Sequence, residues 1–302
     1  MRTYKLRILP LGPWATPWHA DTLFGALCWQ IVRLNGAGAL TELLAQFQSG
    51  EPPFLLSDAF PEGKLPCPLS LPLQPLPETR PKRPAWLDEE QFRNNTRKPG
   101  PLLASARSPV EPIVSAKRLH ASIDRRSGTT TPNGALFEVE AWRIRSQDDP
   151  PAPYLNVFVR VKESPASVER LFRSLSFAGF GKKKSSGFGA FEVVGEPEPC
   201  PWLDEWEWAN GFVSLSHFVP AHDDPTEGCW RVAVKYPKFS PGIPVSHPFK
   251  GRLLMIRPGS VFRATSPVRP FYGTVLQNLS AEFPEAVHYA LAFAVPLRWS
   301  EA

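Results

Sequence analysis

Residues 177–193, FAGFGKKKSSGFGAFEV, hold four glycines and three consecutive lysines between a predicted helix and a predicted strand. The helix is indicated by residues 168–175, whose apolar side chains recur at positions i, i+3, i+4 and i+7. The strand covers residues 190–194, where the chain enters apolar positions again. A mobile, positively charged loop therefore joins the last helix and the last strand of an α+β unit.

The segments before this loop complete a recognisable order of elements. Residues 4–11 and 154–162 alternate between apolar and polar positions and predict strands, and residues 136–145 predict another strand between them. A helix begins after His19 and ends at Asn35-Gly36, and a short second helix follows over residues 40–47. The resulting order of β, α, β, β, α, β is the ferredoxin-like pattern.

The chain divides into two predicted domains. Residues 1–195 form an N-terminal ferredoxin-like domain with a proline-rich insertion at 51–112 and a protruding, thumb-like loop at 115–135. Residues 196–209 form an acidic linker, and residues 210–302 form a second, sheet-dominated ferredoxin-like domain. Ten prolines between residues 51 and 84 predict an extended segment without regular structure. The predicted class is α+β, with two ferredoxin-like (RRM-like) domains.

Composition excludes several classes of protein. The 302 residues are 42% hydrophobic, which is enough for one large or two ordinary cores, and no apolar run of membrane-spanning length occurs. The N-terminus lacks a signal-peptide pattern, so we expect a cytoplasmic protein without membrane contact. Four separated cysteines predict neither a zinc framework nor disulfides, and no cofactor is predicted.

The distribution of charge favours an acidic partner. The net charge is +5, and six acidic residues without a base lie between Glu192 and Glu207. The remainder of the chain therefore carries +11, which is a strongly basic balance.

The glycine-rich loop does not match the nucleotide-binding motifs. A Walker A loop requires a glycine five positions before its Gly-Lys pair, but Ser176 stands five positions before Gly181. A GxGxxG fingerprint begun at Gly179 ends on Lys184. Both motifs also precede a helix, where free amides and the helix dipole bind phosphate, whereas this loop follows one.

Glycine-rich backbone and lysine side chains together suit a polyanionic chain. Glycine adopts the positive φ angles of anion-binding turns, and ammonium groups on flexible stems follow a phosphate backbone. The simpler alternative is a solvated loop. The candidate RNA-binding residues of this loop are Gly179, Gly181, Lys182, Lys183, Lys184, Ser185, Ser186, Gly187, Phe188 and Gly189.

A second basic cluster lies in the thumb-like loop. Its members are Lys117, Arg118, His120, Arg125 and Arg126. A charged run alone is most often a solvated surface. Two basic loops on one ferredoxin-like domain favour nucleic acid, because single strands dock on the open sheet and loops of such folds. Single-stranded RNA is the predicted ligand.

Five stretches carry a resemblance to a known family: WATPWHADTLFGALCW, HASIDRRSGTTTPNGALFEVE, GFGKKKSSGFGAFEV, FKGRLLMIRPGSVF and HYALAFAVPL. Together they resemble the RAMP superfamily of CRISPR proteins, and most closely the fourth Csm subunit of type III-A effector complexes, of the Cas five group. This resemblance implies a non-catalytic subunit that holds the repeat-derived 5′ handle of the crRNA. It also implies contacts with the large polymerase-like Cas subunit and with a backbone RAMP subunit.

The resemblance also implies roles for individual residues. The lysines at 182–184, Ser185 and Phe188 would take handle phosphates and a base, and residues 117–126 would form the thumb. His19 would lie near the same RNA, and Lys250 and Arg252 join the candidate set.

Three alternatives stay open at this stage. A metal-independent endoribonuclease of the same superfamily could use His120 or His19 as its base. Against this, the RNA-cleaving paralogues carry an acid just before the first helix, and residues 11–18 contain none. A metal site could combine His217, His222, Asp223 and Asp224. A structural scaffold without RNA contact would leave both basic loops solvated.

Overall fold

A computed structural model describes residues 1–70, 73–74, 83–100, 102–103, 111–130, 136–145, 154–240, 243–264 and 267–299. The strands are β1 (Arg2–Pro10), β2 (Phe54–Pro61), β3 (Lys64–Pro66), β4 (Leu73–Gln74), β5 (Trp86–Asp88), β6 (Leu102–Leu103), β7 (Ile113–Ala121), β8 (Leu136–Ile144), β9 (Leu155–Val161), β10 (Phe191–Pro199), β11 (Gly211–Ser214), β12 (Gly228–Cys229), β13 (Val232–Lys235), β14 (Leu253–Ile256), β15 (Val261–Arg263), β16 (Phe271–Leu276) and β17 (His288–Leu297). The α-helices are α1 (Ala20–Gln48), α2 (Glu89–Arg97) and α3 (Ala166–Ala178).

The first sheet has four antiparallel strands in the order β10-β1-β9-β2. With α1 and α3 these strands follow one another along the chain as β, α, β, β, α, β. The two helices contact each other. Every residue of β9 is buried, so both faces of this sheet are covered.

Helix α1 contains the break that the sequence predicts. Gly36 has φ 87° and ψ 169°, which are not helical, and the helix resumes beyond it. Glycine tolerates this positive φ without a steric penalty. The predicted boundary at Asn35-Gly36 therefore separates two helical segments that lie in one continuous element.

The prediction that residues 51–84 lack regular structure was wrong. Phe54–Pro61 forms an edge strand of the first sheet and pairs with β9. The prolines flank this strand at Pro53 and Pro61, where a missing amide removes no central ladder bond. Residues 71–72, 75–82, 101 and 104–110 of the predicted proline-rich insertion lie outside the described residues.

The strand predicted at residues 136–145 is present, but it does not belong to the first sheet. It pairs with β7 to form a separate two-stranded hairpin, the thumb hairpin, and not with the first sheet. The predicted thumb loop at 115–135 therefore corresponds to β7 and the turn beyond it. Residues 131–135 lie outside the described residues.

The second half of the chain consists mainly of strands, as predicted. A five-stranded sheet has the order β12-β15-β11-β17-β16, and β13 and β14 form a separate pair. Among the described residues from 205 to 299, no α-helix occurs. The two helices of a complete second ferredoxin-like unit are thus not formed by the described residues.

The acidic segment at 196–209 is ordered structure and not a free linker. Strand β10 continues to Pro199, and Glu198 forms an ion pair with Lys5. Asp204 accepts hydrogen bonds from the amide and hydroxyl groups of Thr3. One hydrophobic cluster includes residues of both large sheets, among them Leu6, Phe158, Val213 and Phe293. The two sheets therefore share a core.

No helix in the described parts of the chain is long and apolar enough to span a membrane.

Candidate nucleic-acid interface

The glycine-rich loop is a compact turn with an unusual backbone. Gly179 ends α3 with φ 70°, and Gly181, Gly187 and Gly189 also have positive φ angles. Lys183 is one of two non-glycine residues with positive φ in the described chain. The amide of Phe180 donates to the carbonyl of Gly189 across 2.8 Å and closes the loop. The sequence signal of repeated glycines thus corresponds to a real conformational demand.

The loop is anchored on the segment that precedes α1. The Lys182 amide donates to Thr16 Oγ1 across 3.0 Å, and the Gly189 amide donates to the Pro13 carbonyl across 2.9 Å. A Cβ atom on Gly181 would lie 2.5 Å from the Thr16 Cβ, so the contact requires glycine. This anchoring leaves the side chains of residues 182–186 exposed on the outer side of the turn.

The thumb hairpin is attached to the same segment. Its strands pair without a register shift from Ile113–Ile144 to Ala121–Leu136. At its base, the Trp14 amide donates to the Trp142 carbonyl across 3.0 Å, and the Trp142 amide donates back across 2.8 Å. Both basic elements are therefore held by residues 13–16.

The loop and the hairpin meet at Phe188. This ring is 2% exposed and packs in a cluster with Ala15, Val139 and Ala141. The His120 ring lies 5.6 Å from it between centroids, and the Arg118 guanidinium lies 5.9 Å above it. The two predicted basic clusters are thus parts of one surface.

The predicted stacking of Phe188 on a base would require an exposed ring, and the Phe188 ring is buried. Its ring is enclosed between loop and hairpin, so it offers no face to a stacking base in this conformation. The His120 ring lies between Phe188 and Phe137, and its Nε2 makes no hydrogen bond within the described residues. Both rings join the two elements to each other.

Most of the cations on this surface are free to bind an anion. Lys117 pairs with Glu138 at 2.7 Å, with both side chains exposed. The Lys183 ammonium lies 4.8 Å from the centre of the Phe137 ring. On this surface, the exposed cationic side chains that form no ion pair with a described residue are Arg118, Arg125, Arg126, Lys182, Lys183 and Lys184. Such a cluster of exposed lysine and arginine residues binds phosphodiester groups without desolvating them fully.

A groove beside the hairpin adds aromatic surface to these charges. It has a volume of about 430 Å³ and is lined by Trp14, Trp142, Arg118 and Arg143, among others. Aromatic and guanidinium planes of this kind stack on unpaired bases. Sequence reasoning missed Trp14, Trp142 and Arg143, although Trp14 stands beside the predicted helix start.

Three predicted residues lie away from this surface. His19 contacts His217, with ring centroids 4.2 Å apart, in a different cavity. The Lys250 ammonium donates to the Val287 carbonyl and lies over the Phe239 ring. Arg252 is exposed just before β14. The structure therefore does not join these three residues to the loop and the hairpin.

The half-buried His19 and the buried His217 are accompanied by a carboxylate. Asp58 Oδ2 lies 2.6 Å from His217 Nδ1. Burial opposes the charged form of Asp58, but the neighbouring His217 and His19 outweigh it and lower the carboxyl pKa. Burial also lowers the pKa of His19 to about 3.

The metal site considered from the sequence does not assemble. His217 pairs with Asp58, while Asp224 pairs with Arg269 at 2.7 Å. The side chains of His222 and Asp223 are exposed.

The chain is similar to subunits of type III-A CRISPR complexes, as its sequence predicts. The subunit that it resembles is Csm4, and this resemblance is confirmed in sequence and in fold. The curated "CRISPR system Cms protein Csm4" of Streptococcus thermophilus is 27% identical over 297 residues, which cover 92% of this chain and 89% of that protein. No protein-family model matches the sequence.

Solved structures show the same fold. A chain of the Csm1-Csm4 cassette in complex with one ATP superposes with a TM-score of 0.59 at 20% identity, covering 99% of this chain and all of that one. A chain of the Csm3-Csm4 subcomplex in the type III-A interference complex gives a TM-score of 0.59 at 13% identity, with 97% and 99% covered. At these identities the likeness concerns the fold.

Proposed function

We propose that this chain is the Csm4 subunit of a cytoplasmic type III-A CRISPR effector complex. In this role it holds the repeat-derived 5′ handle of the crRNA and links the large polymerase-like subunit to the backbone RAMP subunits in antiviral defence. The sequence likeness to Csm4 and the shared fold support the family assignment. The meeting of two basic elements at Phe188 is the observation that supports RNA binding.

We also propose that the first sheet with α1 and α3 is a ferredoxin-like domain. Its six elements have the required order along the chain, and its strands form one antiparallel sheet. The glycine-rich loop enters β10 at the edge of this sheet, beside the thumb hairpin.

In this proposal, the phosphates and the bases of the RNA are bound by different parts of the surface. Exposed ammonium groups at residues 182–184 contact the phosphates, because they are point charges that need no fixed geometry. The groove beside Trp142 takes an unstacked base, since the half-buried indole of Trp142 is flanked there by the exposed Arg118 and Arg143.

We propose that the subunit does not cleave RNA. No acid occurs in residues 11–18, and His120 is packed between two phenylalanine rings. The test is incubation of the purified chain with repeat RNA in EDTA. A product ending in a 2′,3′-cyclic phosphate would contradict the proposal, while intact RNA supports it.

Handle binding is tested by fluorescence anisotropy with a labelled single-stranded handle RNA. We expect binding whose affinity falls steeply with salt, because neutralised phosphates release counterions. The matched variants are Arg125→Ala with Arg126→Ala on the hairpin tip, and Arg33→Ala with Arg93→Ala on exposed helix surfaces elsewhere. Equal affinities of the two double variants would contradict the hairpin's role.

Assembly is tested separately by affinity purification of the tagged chain from cells that express the whole effector complex. Recovery of crRNA together with a large polymerase-like subunit and backbone subunits supports the proposal. Recovery of the chain alone contradicts it.

A further inference from the structure

Three side chains with metal-binding chemistry meet between the two large sheets. His19 directly precedes α1, Asp58 lies in β2 where the register with β9 shifts, and His217 follows β11. One ligand atom of each residue lies within 4.8 Å of the ligand atoms of the other two. The three residues come from distant parts of the chain, so the fold alone creates this cluster.

The backbone around the cluster holds its members in place. Asp58 Oδ1 accepts from the Ala20 amide at 2.8 Å and from the His217 amide at 3.3 Å. The Asp58 amide in turn donates to the Leu215 carbonyl at 2.9 Å. The helix start, the edge strand and the second sheet are thereby connected at one carboxylate. A set of ligands fixed in this way loses little freedom when it binds an ion.

An ion can use atoms of all three residues as ligands. His217 Nδ1 lies 2.6 Å from Asp58 Oδ2, so an ion that replaces the proton between these two atoms would take both as ligands and release that proton. Within the described residues, the His19 ring makes no hydrogen bond, although it contacts His217. The hydrogen bond between Asp58 and His217 would suffice for a structural pair, but it does not account for His19.

The cluster also has room for further ligands. It lines a cavity of about 460 Å³, which can hold several water molecules. The exposed Arg231 and Arg257 line the same cavity and would attract an anionic ligand toward a bound cation. Two imidazoles and one carboxylate suit Zn²⁺ and its transition-metal neighbours, whereas Mg²⁺ and Ca²⁺ prefer oxygen ligands alone.

We propose that His19, Asp58 and His217 form a binding site for one divalent transition-metal ion such as Zn²⁺, with solvent from the cavity completing its coordination. None of these three residues belongs to the glycine-rich loop or the thumb hairpin, although Ile113, Ser115 and Trp142 of the hairpin also line the cavity. It does not depend on the proposed RNA-binding function.

The test uses the full chain after chelator treatment and dialysis. Co²⁺ is added as a spectroscopic probe, and the visible absorption is titrated. Zn²⁺ is then measured by equilibrium dialysis with elemental analysis. We expect one equivalent of either ion in the wild type, and at least about tenfold weaker binding in His19→Ala, by analogy with losses at metal sites. His222→Ala removes an exposed histidine outside the cluster and should bind like the wild type.

His19→Ala should fold, because the lost ring makes no hydrogen bond in the described chain, and its thermal unfolding checks this. A measurement on the wild type makes the test independent of any variant: Zn²⁺ should protect the half-buried His19, but not the exposed His222, from diethyl pyrocarbonate, as mapped by mass spectrometry. A wild type that binds neither Co²⁺ nor Zn²⁺, unchanged binding in a folded His19→Ala, or the lack of protection overturns the proposal.

Discussion

Arg160 Nε donates to Asp204 Oδ1 across 2.8 Å, although the arginine side chain is only 1% exposed. Its Nη1 donates to the carbonyls of Pro270 and Ala294, and its Nη2 donates to the carbonyl of Leu203. Arg160 belongs to β9 of the first sheet, whereas Ala294 belongs to β17 of the second. One buried guanidinium therefore connects both sheets and the short segment between them.

Replacing this arginine should strongly destabilise the chain. Arg160→Met should lower the free energy of unfolding by about 3–5 kcal/mol, because it removes the cation that pairs with Asp204 and the arginine donor of three carbonyls. Urea denaturation measures the change. Lys64→Met is the control, since the Lys64–Asp88 pair is largely exposed and should be worth about 1 kcal/mol or less. Similar losses in both variants would contradict the assigned role of Arg160.

The three lysines of the glycine-rich loop should dominate the salt dependence of RNA binding. Replacing Lys182, Lys183 and Lys184 by alanine should weaken binding and reduce the slope of log affinity against log salt by about 2, at roughly 0.7 per phosphate contact on a single strand. Fluorescence anisotropy at several salt concentrations measures this slope. Thermal unfolding should stay unchanged, because the three side chains are exposed.

The control for this prediction removes three cations elsewhere. Arg33→Ala on α1, Arg93→Ala on α2 and Lys98→Ala just after α2 together change the net charge by the same amount at exposed positions. If this triple variant flattens the salt slope equally, overall charge and not the loop determines binding.

Two glycines of the loop should respond differently to the same substitution. A Cβ atom on Gly189 would lie 1.9 Å from the Phe180 carbonyl oxygen, whereas one on Gly187 meets nothing within 4 Å. Both have positive φ, so Gly187→Ala should cost only the backbone strain of about 1 kcal/mol. Gly189→Ala should cost more and also weaken RNA binding, because it breaks the closure of the loop. Calorimetry measures the stability of the two variants, and fluorescence anisotropy measures their RNA affinity. Equal losses in Gly187→Ala and Gly189→Ala would contradict the prediction.

Acid should destabilise the fold through His288. Burial lowers the His288 pKa from 6.5 to about 4. The attraction of Asp21 opposes this shift, whereas Lys250 and Lys235 add to it. The unfolded chain therefore binds a proton near pH 6.5, while the folded chain binds it only near pH 4. The free energy of unfolding should fall between these values, by roughly 2 kcal/mol at pH 5.

The pH effect is measured by urea denaturation of the wild type and His288→Leu from pH 7 to pH 4.5. The variant should lose less stability over this range, whereas His222→Leu, which removes an exposed histidine, should follow the wild type. Parallel curves for wild type and His288→Leu would show that another group is responsible.

Local patterns predicted the elements whose neighbours lie close in sequence. The alternation at residues 4–11, the helical spacing at 168–175 and the break at Gly36 all correspond to observed structure. The prediction missed the edge strand at Phe54–Pro61 because prolines lie at both of its ends. Residues 54–60 contain no proline and can form the strand. The high proline content of residues 51–84 as a whole concealed a strand that is much shorter than this segment.

Contacts between residues far apart in sequence could not be predicted from such local patterns. The burial of Phe188 depends on the hairpin packing over it, and nothing local distinguishes it from an exposed aromatic residue. The partners of His217 are Asp58 and His19, far away in sequence, and not the nearby His222. The metal alternative considered from the sequence therefore combined His217 with other residues than those that the fold places beside it, and the ion proposed above departs from the expectation of none.

The thumb hairpin is secured at two places, at Trp142 by backbone bonds to Trp14 and at His120 by its contact with Phe188. Phe137, the cross-strand partner of His120, is five residues from Trp142, so these points are about 17 Å apart along the strand. These two contacts set the direction of the hairpin, and residues 121–130 extend past the second contact. A small tilt of residues 13–16 would consequently swing Arg125 and Arg126 through a much larger arc than it would move the lysines.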